Sequence, residues 1–423
     1  MIFGLAKDII TPTARMPLAC CVPYERPYTA IHDDVFVRAC YVKGDGALLM
    51  ISFDLLFHEG SLNRKIADYA NEKFGLPHEA VLVNYVHNHT APAVKGYCES
   101  LASDEYEALL LNRTLACIDR AMTNLIEGNM EYARVPCDWA MSRRRITNGV
   151  CGRIEPSEKN VRETTMDILK LTDKTGKIRG LIASYAAHPV HYPGDSVITG
   201  EYPARLCALL ECEYYGAYAV FLQGATGSSR PRSTVNGASF NSKCGYEDVD
   251  IMAHALFNTA KTAINRGGFT PFDVKAKGVT SKIELPVDVM PKEYFENKAK
   301  TNSGYINNEM LAFITGNYET LGDTVELNAG MLRLSDNLYI CHLGGEICYE
   351  IKALLLKELP DVNLIFVGYT DYGPYIPTDQ MLTEGGYEVN CFIEFGKPGR
   401  FKSGIDGRIT GAFVSMYGDL VNG

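Results

Sequence analysis

Ala80-Val81-Leu82-Val83-Asn84-Tyr85-Val86-His87-Asn88-His89-Thr90-Ala91-Pro92 is the stretch on which the reading of this chain turns. Its first seven residues are mostly apolar and rich in β-branched side chains. A run this short reads as a buried strand that stops where the polar residues begin. In an extended chain residues i and i+2 point to the same side, roughly 6.6 Å apart. His87 and His89 are therefore expected to leave the strand end in one direction. That geometry suits a metal ligand beside a second ligand or an acid–base group. Two histidines in a solvent-facing loop are the ordinary alternative.

Other apolar runs end the same way. Ala47–Phe53 runs into Asp54, Ile178–Ala187 into His188-Pro189, and Ala217–Leu222 into Gln223-Gly224. Leu338–Leu343 runs into Gly344-Gly345-Glu346, and Leu364–Val367 into Gly368-Tyr369-Thr370-Asp371. Helical periodicity falls between them, over Asn63–Phe74, Glu105–Glu127, Pro203–Glu213, Asp248–Asn265 and Cys348–Glu358. Alternation of this kind predicts an α/β protein, with a central mostly parallel or mixed sheet flanked by helices. Residues 128–180 alternate more and predict an antiparallel excursion, while 286–325 predict a helical insertion. We expect one domain over 1–423, with 286–325 as an inserted cap beside the site. In open α/β sheets ligands bind outside the carboxyl ends of the strands. Here those ends carry Asp54, His87, His89, His188, Gln223, Glu346 and Asp371.

Composition narrows the function. The chain has 423 residues, 46% hydrophobic and 22% charged, with a net charge of −10. Its largest basic cluster is Arg143-Arg144-Arg145, too small for a nucleic-acid-binding face. No apolar stretch reaches the length of a membrane span. Thirteen cysteines, an odd number without a Cys-x-x-Cys pair, fit buried thiols in a reducing compartment. The amino terminus lacks a signal-peptide pattern, so a cytoplasmic location is expected unless a leader was removed upstream.

Two histidines and a glutamate form a familiar ligand set for catalytic zinc. His188 is biased toward an extended conformation by the proline after it, and Glu346 follows two glycines that permit a tight turn. Spacing alone does not show that these residues meet.

The chain resembles the neutral/alkaline non-lysosomal ceramidases and their shorter bacterial relatives. The resemblance is carried by Ile31-His32-Asp33-Asp34 with Arg38-Ala39, by His87-Asn88-His89-Thr90-Ala91-Pro92, by His188-Pro189 and by Gln223-Gly224-Ala225-Thr226-Gly227. It continues in Gly345-Glu346 and from Gly368-Tyr369 through Tyr375-Ile376-Pro377-Thr378 to Gly385-Gly386-Tyr387-Glu388. It implies zinc ligands His87, His188, Glu346 and Tyr375. It also implies that His89 stays off the metal, near the substrate carbonyl, and that Arg143 contacts substrate. Without the resemblance, Arg143–Arg145 reads as a solvated turn. Asp54 and Ser228 are expected behind the ligands, Asp54 orienting a histidine.

Two departures set this chain apart from true ceramidases. Their loop continues Gly-Asp-Val-Ser-Pro-Asn, whereas this chain reads Gly227-Ser228-Ser229-Arg230-Pro231-Arg232, so Arg230 takes the serine position. From the length, the C-terminal β-sandwich of those enzymes is expected to be missing. Arg230 and Arg232 suit an anionic or polyhydroxyl small molecule, or they fix the loop. The expected function is a zinc-dependent hydrolase acting on an amide bond. The alternative is a non-catalytic binding protein that kept the scaffold and lost the serine.

Overall fold

Three strand–helix–strand units carry the architecture. In the first, Gly46–Phe53 and Val81–Tyr85 run parallel and are joined through the helix Ser61–Phe74. In the second, Ile178–Tyr185 and Tyr218–Gln223 run parallel through Glu201–Glu213. In the third, Leu338–Leu343 and Asn363–Val367 run parallel through Tyr349–Glu358. Parallel neighbours need a crossover of this kind. Each predicted helix is present, with ends shifted by a few residues; Glu105–Glu127, for example, is observed as Asp104–Thr123. The computed structural model describes residues 1–20, 26–96, 101–191, 196–241, 244–301 and 308–422.

The first two units sit at opposite edges of one sheet. Its order is Tyr218–Gln223, Ile178–Tyr185, Thr165–Asp173, Ile126–Pro136, Ile2–Ile9, Phe36–Gly44, Gly46–Phe53, Val81–Tyr85. The interior pairs are antiparallel. The α/β expectation therefore holds with a mixed sheet, and the parallel pairs lie where the histidine-bearing strands are. The interior is antiparallel because short turns such as Gly44-Asp45-Gly46 can reverse the chain without a crossover.

The sheet bends until its two edges meet. Ser52 Oγ donates to the Phe221 carbonyl at 2.6 Å, and Gln223 N–H donates to Asn84 Oδ1 at 2.9 Å. Asn84 Nδ2 reaches the Gly368 carbonyl at 2.8 Å, which ties in the third unit. That unit belongs to a second sheet ordered Asn363–Val367, Leu338–Leu343, Thr324–Arg333, Lys277–Val289, Gly399–Phe401. Leu332, Ile340, Ile365 and Val367 of this sheet share one core with Val37, Met50, Ile51 and Leu82 of the first. The carboxyl ends of all three parallel pairs thus converge.

The antiparallel excursion is the hairpin Ala140–Thr147/Val150–Ser157, closed at Asn148-Gly149, both with positive φ. It pairs with Ser229–Pro231 and so holds the loop that carries Arg230. The helical insertion begins later than Pro286, because Lys277–Val289 continues through that proline. Helices Lys292–Thr301 and Asn308–Gly316 follow, with Phe295, Leu311 and Ile314 packed on Phe392 and Ile393. Among the described residues no helix is long and apolar enough to cross a membrane.

His342, in the strand Leu338–Leu343, packs against Gly330, where a Cβ would lie 2.2 Å from its Nε2. Both its ring nitrogens are sealed without a hydrogen-bond partner, and burial holds its pKa down at about 4. The folded state therefore refuses a proton that the unfolded chain accepts below about 6.5. Stability should fall as pH drops from about 6.5 to 4, with a contribution from this residue of about 2–3 kcal/mol. Urea unfolding at pH 7 and pH 4.5 checks this, and His342→Leu should remove that part of the pH dependence.

Candidate metal centre

His87 and His89 meet, but not by β alternation. The strand ends at Tyr85, and His87 adopts a left-handed backbone with φ +64°. Such a conformation is strained for a residue with a Cβ, and it persists only where its surroundings enforce it. Val86 N–H donates to the Phe53 carbonyl at 2.9 Å and Asn88 N–H to the Leu55 carbonyl at 3.1 Å. Asn88 points away from the histidines: its Nδ2 donates to the Thr199 carbonyl at 2.6 Å, and its Oδ1 accepts from Thr90 N–H at 2.9 Å. The kink turns both imidazoles inward.

His188, at the end of the second unit, completes a triangle. Its Nε2 lies 3.1 Å from that of His87 and 3.0 Å from that of His89, and His87 and His89 Nε2 are 3.1 Å apart. His87 Nδ1 faces the Leu56 carbonyl at 3.4 Å, which turns Nε2 to the centre. Burial pushes all three rings well below the usual histidine pKa, and neighbouring His87 and Arg143 lower His188 further. The rings are therefore neutral at pH 7, with lone pairs available to a cation.

Glu346 approaches from the third unit. Gly345 before it has φ +91°, and a Cβ there would meet the Pro374 carbonyl at 2.7 Å. The expected tight turn is thus present and needs glycine. Glu346 Oε2 lies 3.3 Å from His87 Nε2 and 3.8 Å from His188 Nε2. It has no such contact with His89 among the described residues. Among the described residues that oxygen is buried without a hydrogen-bond partner, and burial raises the carboxyl pKa to about 8 against the pull of Tyr375 and Arg143. A buried carboxylate oxygen left unpaired is costly unless a cation satisfies it. The imidazole nitrogens 3.0–3.1 Å apart and the Glu346 oxygen 3.3 and 3.8 Å from two of them are close enough to share one small cation.

Tyr375 pairs with Glu346 between short parallel strands. Its hydroxyl is within reach of Glu346 and Arg143. Its ring stacks on His188 with centroids 6.4 Å apart.

The arginine run is not a solvated turn. Arg143 and Arg144 are 3% and 1% exposed, on the strand Ala140–Thr147. Arg143 Nε donates to Glu388 Oε1 at 2.8 Å, and Arg144 Nη1 to Glu388 Oε2 at 2.6 Å. Arg143 also lies over the rings of Tyr375 and Tyr387, at 5.0 and 5.5 Å. Among the described residues its Nη2 is buried without a hydrogen-bond partner. Neither the Glu388 anchor nor Tyr369, whose ring centroid is 4.3 Å from that of His87, was among the sequence candidates.

Arg230 behaves differently from Arg143. Among the described residues it has no carboxylate partner, and its Nε is sealed without a hydrogen bond. Burial, together with Arg143, lowers its pKa to about 10. Arg232 is turned outward instead, onto Asp138 at 3.0 Å and Glu158 at 2.5 Å, so the two arginines do not act as a pair.

Two expected supporting residues have other tasks. Asp54 binds Arg38 Nη1 at 2.7 and 2.8 Å and Phe36 N–H at 2.9 Å, with no histidine among its partners. Ser228 Oγ donates to Glu350 Oε2 at 2.6 Å and accepts from Tyr349 N–H at 3.0 Å. It fastens a helix start rather than a ligand.

No family model and no curated protein matches the chain. Solved structures do. The neutral ceramidase of Pseudomonas aeruginosa superposes with a TM-score of 0.75 at 16% identity, covering 98% of this chain and 73% of that one. The fold is ceramidase-like. A structure described as ceramidase complexed with C2 gives 0.76 at 14% identity, covering 100% and 75%. Among the described residues His87, His89 and His188 form a group able to hold a metal ion.

Proposed function

We propose that the protein is a zinc-dependent hydrolase that cleaves the amide bond of a small N-acyl substrate bearing a negative charge. The observation that carries this reading is the orphaned Oε2 of Glu346, aimed at two neutral imidazole nitrogens. In this reading His87, His188 and Glu346 hold the ion, with the Tyr375 hydroxyl beside them as the further oxygen. A zinc ion there supplies a Lewis acid for the scissile carbonyl and brings the pKa of water toward neutrality.

The other residues then have defined tasks. His89 brings a neutral Nε2 to the same point, 3.0–3.1 Å from those of His87 and His188. It takes a proton from the attacking water and returns it to the leaving nitrogen, worth about 10²–10⁴-fold. Arg143, clamped by Glu388, offers its unpaired Nη2 to a substrate oxygen. Arg230 receives the negative charge, since a guanidinium fork matches a carboxylate.

The test is metal content together with turnover of a panel of N-acetyl amino acids. Purified protein should carry zinc, lose hydrolysis on chelation and regain it with added zinc. Because the resemblance puts Arg230 at the serine position of true ceramidases, a second outcome is specific: tight ligand binding by zinc-loaded protein without turnover would make it a binding protein. Protein that takes up no zinc would end both the metal assignment and the hydrolase reading.

A further inference from the structure

Beside the metal centre lies a second hydrogen-bonded chain that the hydrolase reading does not use. His191 Nδ1 donates to Glu201 Oε2 at 2.8 Å, and His191 Nε2 lies 2.8 Å from Ser233 Oγ. Glu201 is fixed further by His191 N–H at 2.7 Å and Tyr202 N–H at 3.1 Å. Its backbone is left-handed, φ +54°, and its N–H donates to Thr199 Oγ1 at 2.8 Å. His191 and Glu201 are sealed in the interior, 0% and 1% exposed, whereas Ser233 is only partly buried.

We propose that Ser233, His191 and Glu201 are the nucleophile, base and positioning acid of a second, metal-independent site for small acyl esters. The order of the groups supports it. The carboxylate accepts a hydrogen bond from Nδ1–H, which leaves the Nε2 lone pair facing the hydroxyl, and of the three residues only the serine is partly exposed. A loop anchor would need one hydrogen bond from Ser233, not a relay running back to a buried carboxylate in a strained backbone. Burial works against the charge of that carboxylate, but contact with His191 outweighs it and holds Glu201 below the usual range, so it is ionised at neutral pH.

In the first step Ser233 Oγ bonds to the ester carbonyl carbon as its proton passes to His191 Nε2. The ester C–O bond breaks, and the alcohol leaves with that proton. In the second, a water oxygen bonds to the acyl carbon and gives its proton to Nε2. The Oγ–acyl bond then breaks, and Oγ recovers the proton. One ester and one water become one acid and one alcohol.

A fluorophosphonate probe on chelator-stripped, full-length protein tests the site without the metal. It should modify the Ser233 peptide, at the same rate as in zinc-loaded protein. Ser233→Ala should lose at least tenfold of the labelling. Glu201→Gln, which keeps the shape, should slow it on the order of a hundredfold or more, with unfolding temperatures confirming that both variants fold. Absence of label at Ser233, loss of labelling on chelation, or wild-type labelling of a folded Glu201→Gln would each overturn the proposal.

Discussion

His87→Ala is expected to empty the centre of metal, while His89→Ala keeps the metal and still loses turnover. The two rings are neighbours in sequence and their Nε2 atoms are 3.1 Å apart, so a general disturbance of the loop would strike both alike. The difference lies in what each faces. His87 Nε2 is the closer of the two nitrogens to the orphaned Glu346 oxygen, at 3.3 Å. Its removal takes away a ligand and leaves that carboxylate with one imidazole near it. The loss of affinity should exceed the 10–100-fold typical of losing a ligand's outer hydrogen-bond partner. His89 makes no such contact with Glu346 among the described residues, and its removal should cost kcat about 10²–10⁴-fold. Elemental analysis of dialysed protein and steady-state kinetics read the two separately. If His89→Ala loses metal as readily as His87→Ala, the triangle of nitrogens is the ligand set and His89 is a donor. If His87→Ala keeps both metal and activity, the centre has been misplaced.

That these residues were visible in the sequence has a physical reason. Strand ends are marked locally, by an apolar run giving way to polar side chains or glycine, and parallel strands deliver those ends to one place. His87, His188 and Glu346 stand at ends of three such pairs. What the sequence could not show was the route by which they meet. His87 and His89 were expected to share a direction by alternation, and instead a left-handed residue turns them. Nothing in the residue type announces that kink, because it is enforced by carbonyls of Phe53, at the end of the neighbouring strand, and of Leu55 just beyond it.

Partners distant in the chain were illegible for the same reason. Arg143 looked solvated because its carboxylate, Glu388, lies 245 residues away. Asp54 looked available to a histidine because its true partner, Arg38, sits on the adjacent antiparallel strand. Ser233 drew no notice, since only the fold brings it to His191. Conversely, the resemblance singled out Arg230 from the sequence, and among the described residues it lacks the counter-charge Arg143 has.

That missing counter-charge makes Arg230 the second decisive position. Arg230→Ala should raise KM for an N-acetyl amino acid about 10–100-fold, the equivalent of one charge-assisted hydrogen-bonded contact at about 1.5–3 kcal/mol. The matching N-acetyl amino acid amide, which has no carboxylate, should be turned over by the variant as it is by the parent. Arg230→Lys should recover part of the loss, since an ammonium supplies charge without the planar fork. Stability should move the other way. A half-buried guanidinium with no anion among the described residues costs desolvation that they do not repay, so Arg230→Ala should be as stable as the parent or more so in thermal unfolding without ligand. A loop anchor would behave oppositely, losing stability on substitution and treating charged and neutral substrates alike. Opposite signs in the two measurements would therefore mark Arg230 as held in readiness for a substrate carboxylate, at a cost to the fold of the kind that sites built for binding commonly carry.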